Sequence, residues 1–492
     1  MFEQQIKTNQ KEMINHLQKL IQIPSVDETP SIGKPFGDAP ANALDYLLNL
    51  GNTLGFKTKN IDGYCGYLEW GEGTEMVGII GHLDVVPEGE NWTYPPFSAT
   101  LADGKIYGRG AIDDKGPVIA SLYAMKAVKD YCEQEKITLS KRIRLIVGLN
   151  EEKDWKCIHY YQAHEETPTI GFSPDADFPC IYAEKGILTE HFTMDYSSFL
   201  RQTKKPMPIT LSHLEDHGNA INVVPKLASA ILHIDPNYIR VEKVISLITT
   251  LLTQEPEPAN SWKEEISSGT FEVVPLNTNE IKITSYGVQA HAAHPDLGTN
   301  AISHLLILLH HLIKEVNPEE NELPIFSFFT EKIGTDFSGS LCGINSEDES
   351  GQLTLNVGKL SFDGKTISIG CNLRIPVTTD PITIHQKFQK MVTAYPLVQT
   401  KEAEIKDPLY VSPDSPLVQT LCQIYNETTG ANEKPIAIGG ATYARAFPNC
   451  ISFGANLPHQ KDMCHQTDEF ISVDNLLLAS LIYAKAIYAL GK

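Results

Sequence analysis

A chain of 492 residues that is 42% hydrophobic and 21% charged has the composition of a globular protein, long enough to hold a core without disulfide or metal staples. Its 61 acids outnumber its 40 lysines and arginines, and the net charge of −21 disfavours nucleic acid and anionic membrane as partners. At about 150 residues per domain two to four domains are expected, and the acidic surplus reads first as a solubility feature.

The N-terminus lacks a charged-then-apolar signal layout. Ile6, Met13, Leu17, Leu20 and Ile21 fall on one helical face that ends at Pro24. A second helix is expected over 41–55, with Leu44, Leu47, Leu48 and Leu54 inward and Gly55 as its stop. Short strands follow at 56–61 and 65–70. Met76 to Ile80 then form a continuous apolar run, the pattern of a strand buried on both faces, and lead into Gly81-His82-Leu83-Asp84. Pro117 opens a helix with Val118, Leu122, Met125 and Val128 on one face. Ile143 to Val147 read as a strand ending in Asn150-Glu151-Glu152, and Thr169 to Phe172 as one ending in Ser173-Pro174-Asp175. This alternation predicts an α/β sheet, in which sites lie beyond the carboxyl ends of strands.

The middle of the chain has another texture. Residues 281–286 alternate, and a long helix is expected over about 299–316. Asp363-Gly364 makes a hairpin turn, after which Ile367, Ile369, Cys371, Leu373 and Ile375 face one way and Ser368, Asn372 and Arg374 the other. Loops are expected near 201–207 and 254–268. An α+β domain inserted at 187–375 is predicted, with 1–186 and 376–492 forming the domain around it and a closing helix at 473–490. No run of 18 uninterrupted apolar residues occurs, so no membrane span is expected. The nine cysteines, at 65, 132, 157, 180, 342, 371, 422, 450 and 464, are odd in number and never spaced C-x-x-C. They are read as buried thiols of a reducing cytoplasm.

Successive strand ends carry His82, Asp84, Asp113, Asp114, Glu151, Glu152 and Asp175. Crowded carboxylates raise one another's pKa and call for a cation. One histidine with several acids suits two divalent ions such as Zn²⁺, Mn²⁺ or Co²⁺, and paired metals bridged by a carboxylate hydrolyse amides and esters. In His82-x-Asp84 both residues share a strand face, so Asp84 can accept the second ring N–H of His82. Of the adjacent glutamates, one can bind metal and the other act as general base. No G-x-x-x-x-G-K-[ST] or G-x-S-x-G occurs to anchor nucleotide or serine-hydrolase chemistry.

The stretch Gly81-His82-Leu83-Asp84-Val85-Val86-Pro87, with Trp92, Pro96-Phe97 and 103–116 (DGKIYGRGAIDDKG), closely resembles the dinuclear zinc peptidases that include aminoacylase, carnosinase, carboxypeptidase G, succinyl-diaminopimelate desuccinylase and dipeptidase V. Ser173-Pro174-Asp175-Ala176 and Glu184-Lys185-Gly186 look most like the dipeptidase V branch. The resemblance runs in register over nearly the whole chain. It implies a mixed-sheet catalytic domain with an inserted α+β lid. Asp113 would bridge two divalent metals, expected to be zinc, with manganese or cobalt as the alternatives; His82 and Asp175 would hold one, and Glu152 and His465 the other. Glu151 would be the general base and Asp84 would orient His82. His465 belongs to His465-Gln466-Thr467-Asp468-Glu469, a context that His459 lacks.

From the lid, the resemblance implies His291 as the oxyanion stabiliser and Asn222 and Arg374 as substrate contacts, Arg374 being suited to a terminal carboxylate. Gly439 and Gly440 would let backbone approach the substrate. The implied activity is hydrolysis of small unmodified dipeptides, using water held between two divalent metals, by a cytoplasmic monomer whose lid acts in cis. The alternative is an N-acyl amino acid deacylase or desuccinylase with the same metals. Asn150, Lys153-Asp154-Trp155 and the extra residue Cys464 depart from the family pattern. His213 and His217 mimic a helical metal pair but lack its order, His304, His310 and His311 are read as surface or packing residues, and His294 as local structure beside His291.

Overall fold

A computed structural model describes residues 2–253, 262, 266–317, 321–458 and 460–492. Most of the loop expected at 254–268, and His459, lie outside the described residues. The chain divides into two units, Met1–Glu184 with Leu409–Lys492, and Lys185–Pro408.

The first unit is built on a mixed sheet. Its central strands Arg142–Gly148, Met76–His82 and Ile170–Ser173 lie side by side and parallel, so their carboxyl ends form one rim. Met76–His82 is buried at every position, as expected of an apolar run covered on both faces. Antiparallel strands Cys65–Trp70 and Lys57–Ile61 extend one side. On the other side, Cys450–Ser452 runs parallel to Ile170–Ser173 and is followed by Ile181–Glu184. The late segment thus inserts into the sheet begun by the N-terminal half. Helices Glu3–Ile21, Lys115–Glu135 and Val473–Gly491 pack on one another. The last is long and apolar enough to cross a membrane by length and composition alone, and 61% of it is buried in the fold.

The inserted unit is an antiparallel sheet carrying helices. One half holds Thr270–Asn277, Glu280–Tyr286, Leu227–Ile234 and Ile209–Glu215; the other begins with Thr354–Phe362, Thr366–Ile375 and Gly186–Asp195. The halves meet through the pair Glu215↔Ser361. Asp216 reinforces this seam, its Oδ2 accepting the Leu360 N–H at 3.1 Å. Helix Ala301–Val316 packs on both halves, capped by Asn300, whose Oδ1 accepts the Ser303 N–H. The return to the first unit falls at Leu409 instead of residue 376. Residues 376–408 stay with the insert because strands Val398–Thr400 and Glu404–Lys406 pair with Gly186–Asp195.

The helix histidines are packing residues. His304 and His310 are buried, and the His311 ring stacks on Trp262 at 3.9 Å. Burial pushes His304 down to about 4 and, with help from His310 and Lys314, His311 down to about 3. An unfolded chain would protonate both near the ordinary histidine value of about 6.5. Between that value and about 4 the unfolded state therefore binds more protons, and stability falls as pH falls. The urea midpoint of the insert should drop between pH 7 and pH 5, and His304→Gln should flatten the drop. An unchanged pH slope in that variant would assign the loss to other groups.

Candidate metal centre and active site

Three parallel strands deliver the site. Met76–His82 ends in His82 and Asp84, Arg142–Gly148 runs on to Glu151 and Glu152, and Ile170–Ser173 to Asp175. Asp113 arrives differently, on the turn before helix Lys115–Glu135, not at a strand end. Asp114 follows through a cis peptide bond and is fully buried, with its Oδ2 accepting the His82 N–H at 3.0 Å. Glycine at 81 makes that approach possible, since a Cβ there would lie 2.5 Å from Asp114 Oδ2.

The two oxygens of Asp113 face different histidines. Oδ1 is 3.0 Å from His82 Nε2, and Oδ2 is 3.0 Å from His465 Nε2. Asp175 Oδ2 lies 3.6 Å from His82 Nε2, and Glu152 Oε1 lies 3.0 Å from His465 Nε2. The acid thus stands between two lobes, one with His82 and Asp175, the other with Glu152 and His465. His82, Glu151 and Asp175, and likewise His82, Asp113 and Glu152, offer ligand atoms within 4.8 Å of one another. Glu151 therefore stands beside the His82–Asp175 lobe. An open cavity of about 220 Å³ is lined by Asp113, Glu151, Glu152, Asp175, Gly440 and His465.

Asp84 does more than face the ring. His82 Nδ1 lies 2.9 Å from the Asp84 carbonyl oxygen and 3.4 Å from its Oδ1, so the main chain makes the shorter contact. Asp84 Oδ2 accepts the Glu152 N–H at 3.0 Å, tying the glutamate turn to the histidine strand. Asn150 closes that turn, its Oδ1 accepting the Lys156 N–H at 3.1 Å.

The electrostatics are those of a crowded acid pocket. Burial, then the Asp113 charge, raises Glu152 to about 7 and Asp175 to about 6. Burial also lifts Glu151 well above the usual carboxylate range, helped by Asp175 and Glu152. Asp113 stays low despite burial because both imidazoles hydrogen-bond to it. Against the opposing effect of burial, hydrogen bonds to Asp113 and Glu152 hold His465 up at about 11. Buried acids that depend on shared protons fit divalent cations in place of those protons, and the nitrogen and oxygen donors suit borderline metals such as zinc. Asp114 Oδ1 is buried without a hydrogen-bond partner, and burial lifts this acid well above the usual carboxylate range.

Glu469 and Arg109, both within the sequence motifs, hold the late histidine. Glu469 is fully buried, and its Oε1 accepts the N–H groups of Ile112 and Asp113 at 3.0 and 3.3 Å. Its Oε2 receives Arg109 Nη1 at 2.7 Å, while Arg109 Nη2 reaches the His465 carbonyl at 3.3 Å. This clamp joins the Asp113 turn to a histidine held at φ +63°, in the left-handed region. An acid four residues after the histidine, and an arginine four before Asp113, were the available signals. Lys115 lies beneath, its Nζ donating to the Ile23 carbonyl, and burial lowers it to about 7.

The lid candidates lie in the inserted unit. Strand Val223–Val224 pairs with Ala290–His291, placing His291 opposite Val223, and the Ala292 N–H donates to the Asn222 carbonyl at 2.9 Å. Arg374 is buried with its Nε on Asn372 Oδ1 at 3.1 Å, and it pairs across the sheet with Thr354. Thr354 Oγ1 donates to the Ala292 carbonyl at 3.3 Å, so Asn222, His291 and Arg374 gather at one end of the sheet. His213 and His217 sit instead with Glu215 on a strand and its following turn, not on a helix.

A rim of acids and histidines at parallel strand ends, with an antiparallel unit inserted into the chain, defines a hydrolase of the metallopeptidase type. The chain belongs to peptidase family M20/M25/M40, whose model matches residues 78–489, and is a hydrolase acting on peptide bonds. It is 37% identical over 495 residues to the Bacillus subtilis (strain 168) protein named "Putative dipeptidase YtjP", covering 100% of both chains. A Staphylococcus haemolyticus protein named "Putative dipeptidase SH1171" is 33% identical, with 100% of this chain and 99% of that one covered. In fold it is similar to human carnosine dipeptidase 1, with a TM-score of 0.56 at 12% identity over 100% of this chain and 98% of that one.

Adding Zn²⁺ or Mn²⁺ to chelator-treated protein should raise its melting temperature, the gain corresponding to about 2.7 kcal/mol at a hundredfold excess over Kd. Asp113→Ala should lose most of that gain. Equal stabilisation of both proteins would place the metal elsewhere.

Proposed function

We propose that the protein is a two-metal dipeptidase acting on small unmodified dipeptides. The observation that carries this reading is Asp113, with one carboxylate oxygen 3.0 Å from His82 and the other 3.0 Å from His465. Full-length similarity to proteins named as dipeptidases supports the substrate class. His82 and Asp175 would hold one divalent ion, Glu152 and His465 the other, and Asp113 both; zinc suits this donor set. When bound, such ions supply Lewis-acid polarisation of the carbonyl and lower the pKa of water.

The chain's own groups do the rest. Glu151 takes the proton from the attacking water and passes it to the leaving amine. In the metal-free protein, burial and its acidic neighbours raise its proton affinity. Asp84 fixes the His82 ring and, through the Glu152 N–H, the glutamate turn. His291 donates to the oxyanion, and Asn222 and Arg374 bind the substrate, Arg374 at its terminal carboxylate. Gly439 and Gly440 present backbone to it. The lid residues act within their own chain, so a monomer is active.

Glu151→Gln should lower kcat by about 10²–10⁴-fold while metal content stays unchanged. Near-normal turnover would remove Glu151 from proton transfer. Comparing a dipeptide with its N-acetylated form tests the substrate class, since faster cleavage of the acetylated form would favour a deacylase. Mixing inactive His291→Ala and Glu151→Gln proteins should restore nothing; recovered activity would show a lid acting between chains.

A further inference from the structure

Gly440, Ala441 and Thr442 line the acidic cavity, yet they belong to neither helix nor strand. Strand Ile436–Ile438 stops before them and a 3₁₀ turn, Tyr443–Ala446, starts after them. A connecting segment of this kind is mobile unless other groups fix it.

Glu184 supplies the fixing groups. Its side chain is fully buried at the end of strand Ile181–Glu184. Oε2 accepts the Thr442 N–H at 3.1 Å and Arg445 Nε at 3.0 Å. Oε1 lies 2.8 Å from both the Thr442 and the Ser452 hydroxyl oxygens, which are 2.7 Å from each other. Arg445 then donates Nη2 to the Gly440 carbonyl at 3.0 Å. One carboxylate thus holds the loop at Thr442 directly and at Gly440 through the arginine. A buried charge needs its full set of partners, so displacing the loop would strip donors from Glu184. None of these partners is among the residues assigned to the metals.

We infer that Glu184 and Arg445 are positioning residues that set the Gly440–Thr442 backbone as a wall of the substrate pocket. Substrate affinity depends on this pair, whereas metal loading and proton transfer do not. The inference rests on the dipeptidase reading for its kinetic consequence and on the apoprotein for its structural one.

Thr442→Val removes the hydroxyl and keeps the shape, Thr442→Ser restores it, and Glu184→Gln removes the charge. With a dipeptide substrate, Thr442→Val should raise KM about tenfold, the equivalent of one hydrogen bond to a charged group, with kcat and metal content close to wild type. Thr442→Ser should return KM to the wild-type value, and Glu184→Gln should raise it at least as far as Thr442→Val. An unchanged KM, a fall confined to kcat, or a serine variant no better than valine would overturn the inference. Amide exchange in the chelated protein gives a readout without catalysis: Gly440 and Ala441 should exchange about tenfold faster in Thr442→Val. Unchanged exchange there would overturn the positioning role. A wild-type protein that cleaves no dipeptide would defeat the functional reading, and the exchange result would then decide the inference alone. If Glu184→Gln fails to fold, the valine and serine variants still decide it.

Discussion

Mutual repulsion among acids sets the terms for the first unit. Asp84, Asp113, Asp114, Glu151, Glu152 and Asp175 converge on one rim where burial removes the water that would stabilise their charges. Such a cluster persists only where cations or shared protons neutralise it and rigid elements hold it in place. The parallel strands supply the rigidity, being buried throughout at Met76–His82 and nearly so at Arg142–Gly148. Backbone donors supply part of the compensation. Asp84 takes the Glu152 N–H, Asp114 the His82 N–H and Glu469 the Ile112 and Asp113 N–H groups. Asp84, Asp114 and Glu469 thus each fix the backbone of a residue proposed as a ligand.

The same constraint explains the long-range architecture. His465 is 352 residues along the chain from Asp113, yet the two stand 3.0 Å apart. No local element bridges that separation; the Arg109–Glu469 pair does. Replacing a buried ion pair with apolar groups is often neutral for stability. Here the pair joins two loops that carry a histidine and an aspartate of one centre, which gives it a role in geometry beyond its energy.

Much of this was legible in the sequence. The buried strands announced themselves as apolar runs ending in polar clusters, and His82, Glu151, Glu152 and Asp175 followed from strand-end logic. The Asp363-Gly364 hairpin and the helix ending near residue 316 follow from local turn and periodicity signals. What was not legible depends on pairing across long separations. The short strands at 398–400 and 404–406 show their allegiance only through Gly186–Asp195, so the domain return was read about thirty residues early. The Asp84 carboxylate has its closest partner in the Glu152 main chain, which residue types cannot announce. Glu184 stands out in sequence only through the Glu184-Lys185-Gly186 motif, and its role does not, because its partners come from beyond residue 440.

The way the chain leaves and re-enters the first unit has a consequence for modularity. Departure follows Glu184, return begins at Leu409, and these two residues are cross-strand partners in an antiparallel pair. Paired Cα atoms of this kind stand about 5 Å apart. The first unit therefore presents the insert with a gap that a tight turn could close, and the 224 residues between are, in connectivity, an oversized hairpin loop. A scaffold joined in this way can exchange what it carries without breaking its own sheet, so one hydrolytic rim can be furnished with inserts of different size.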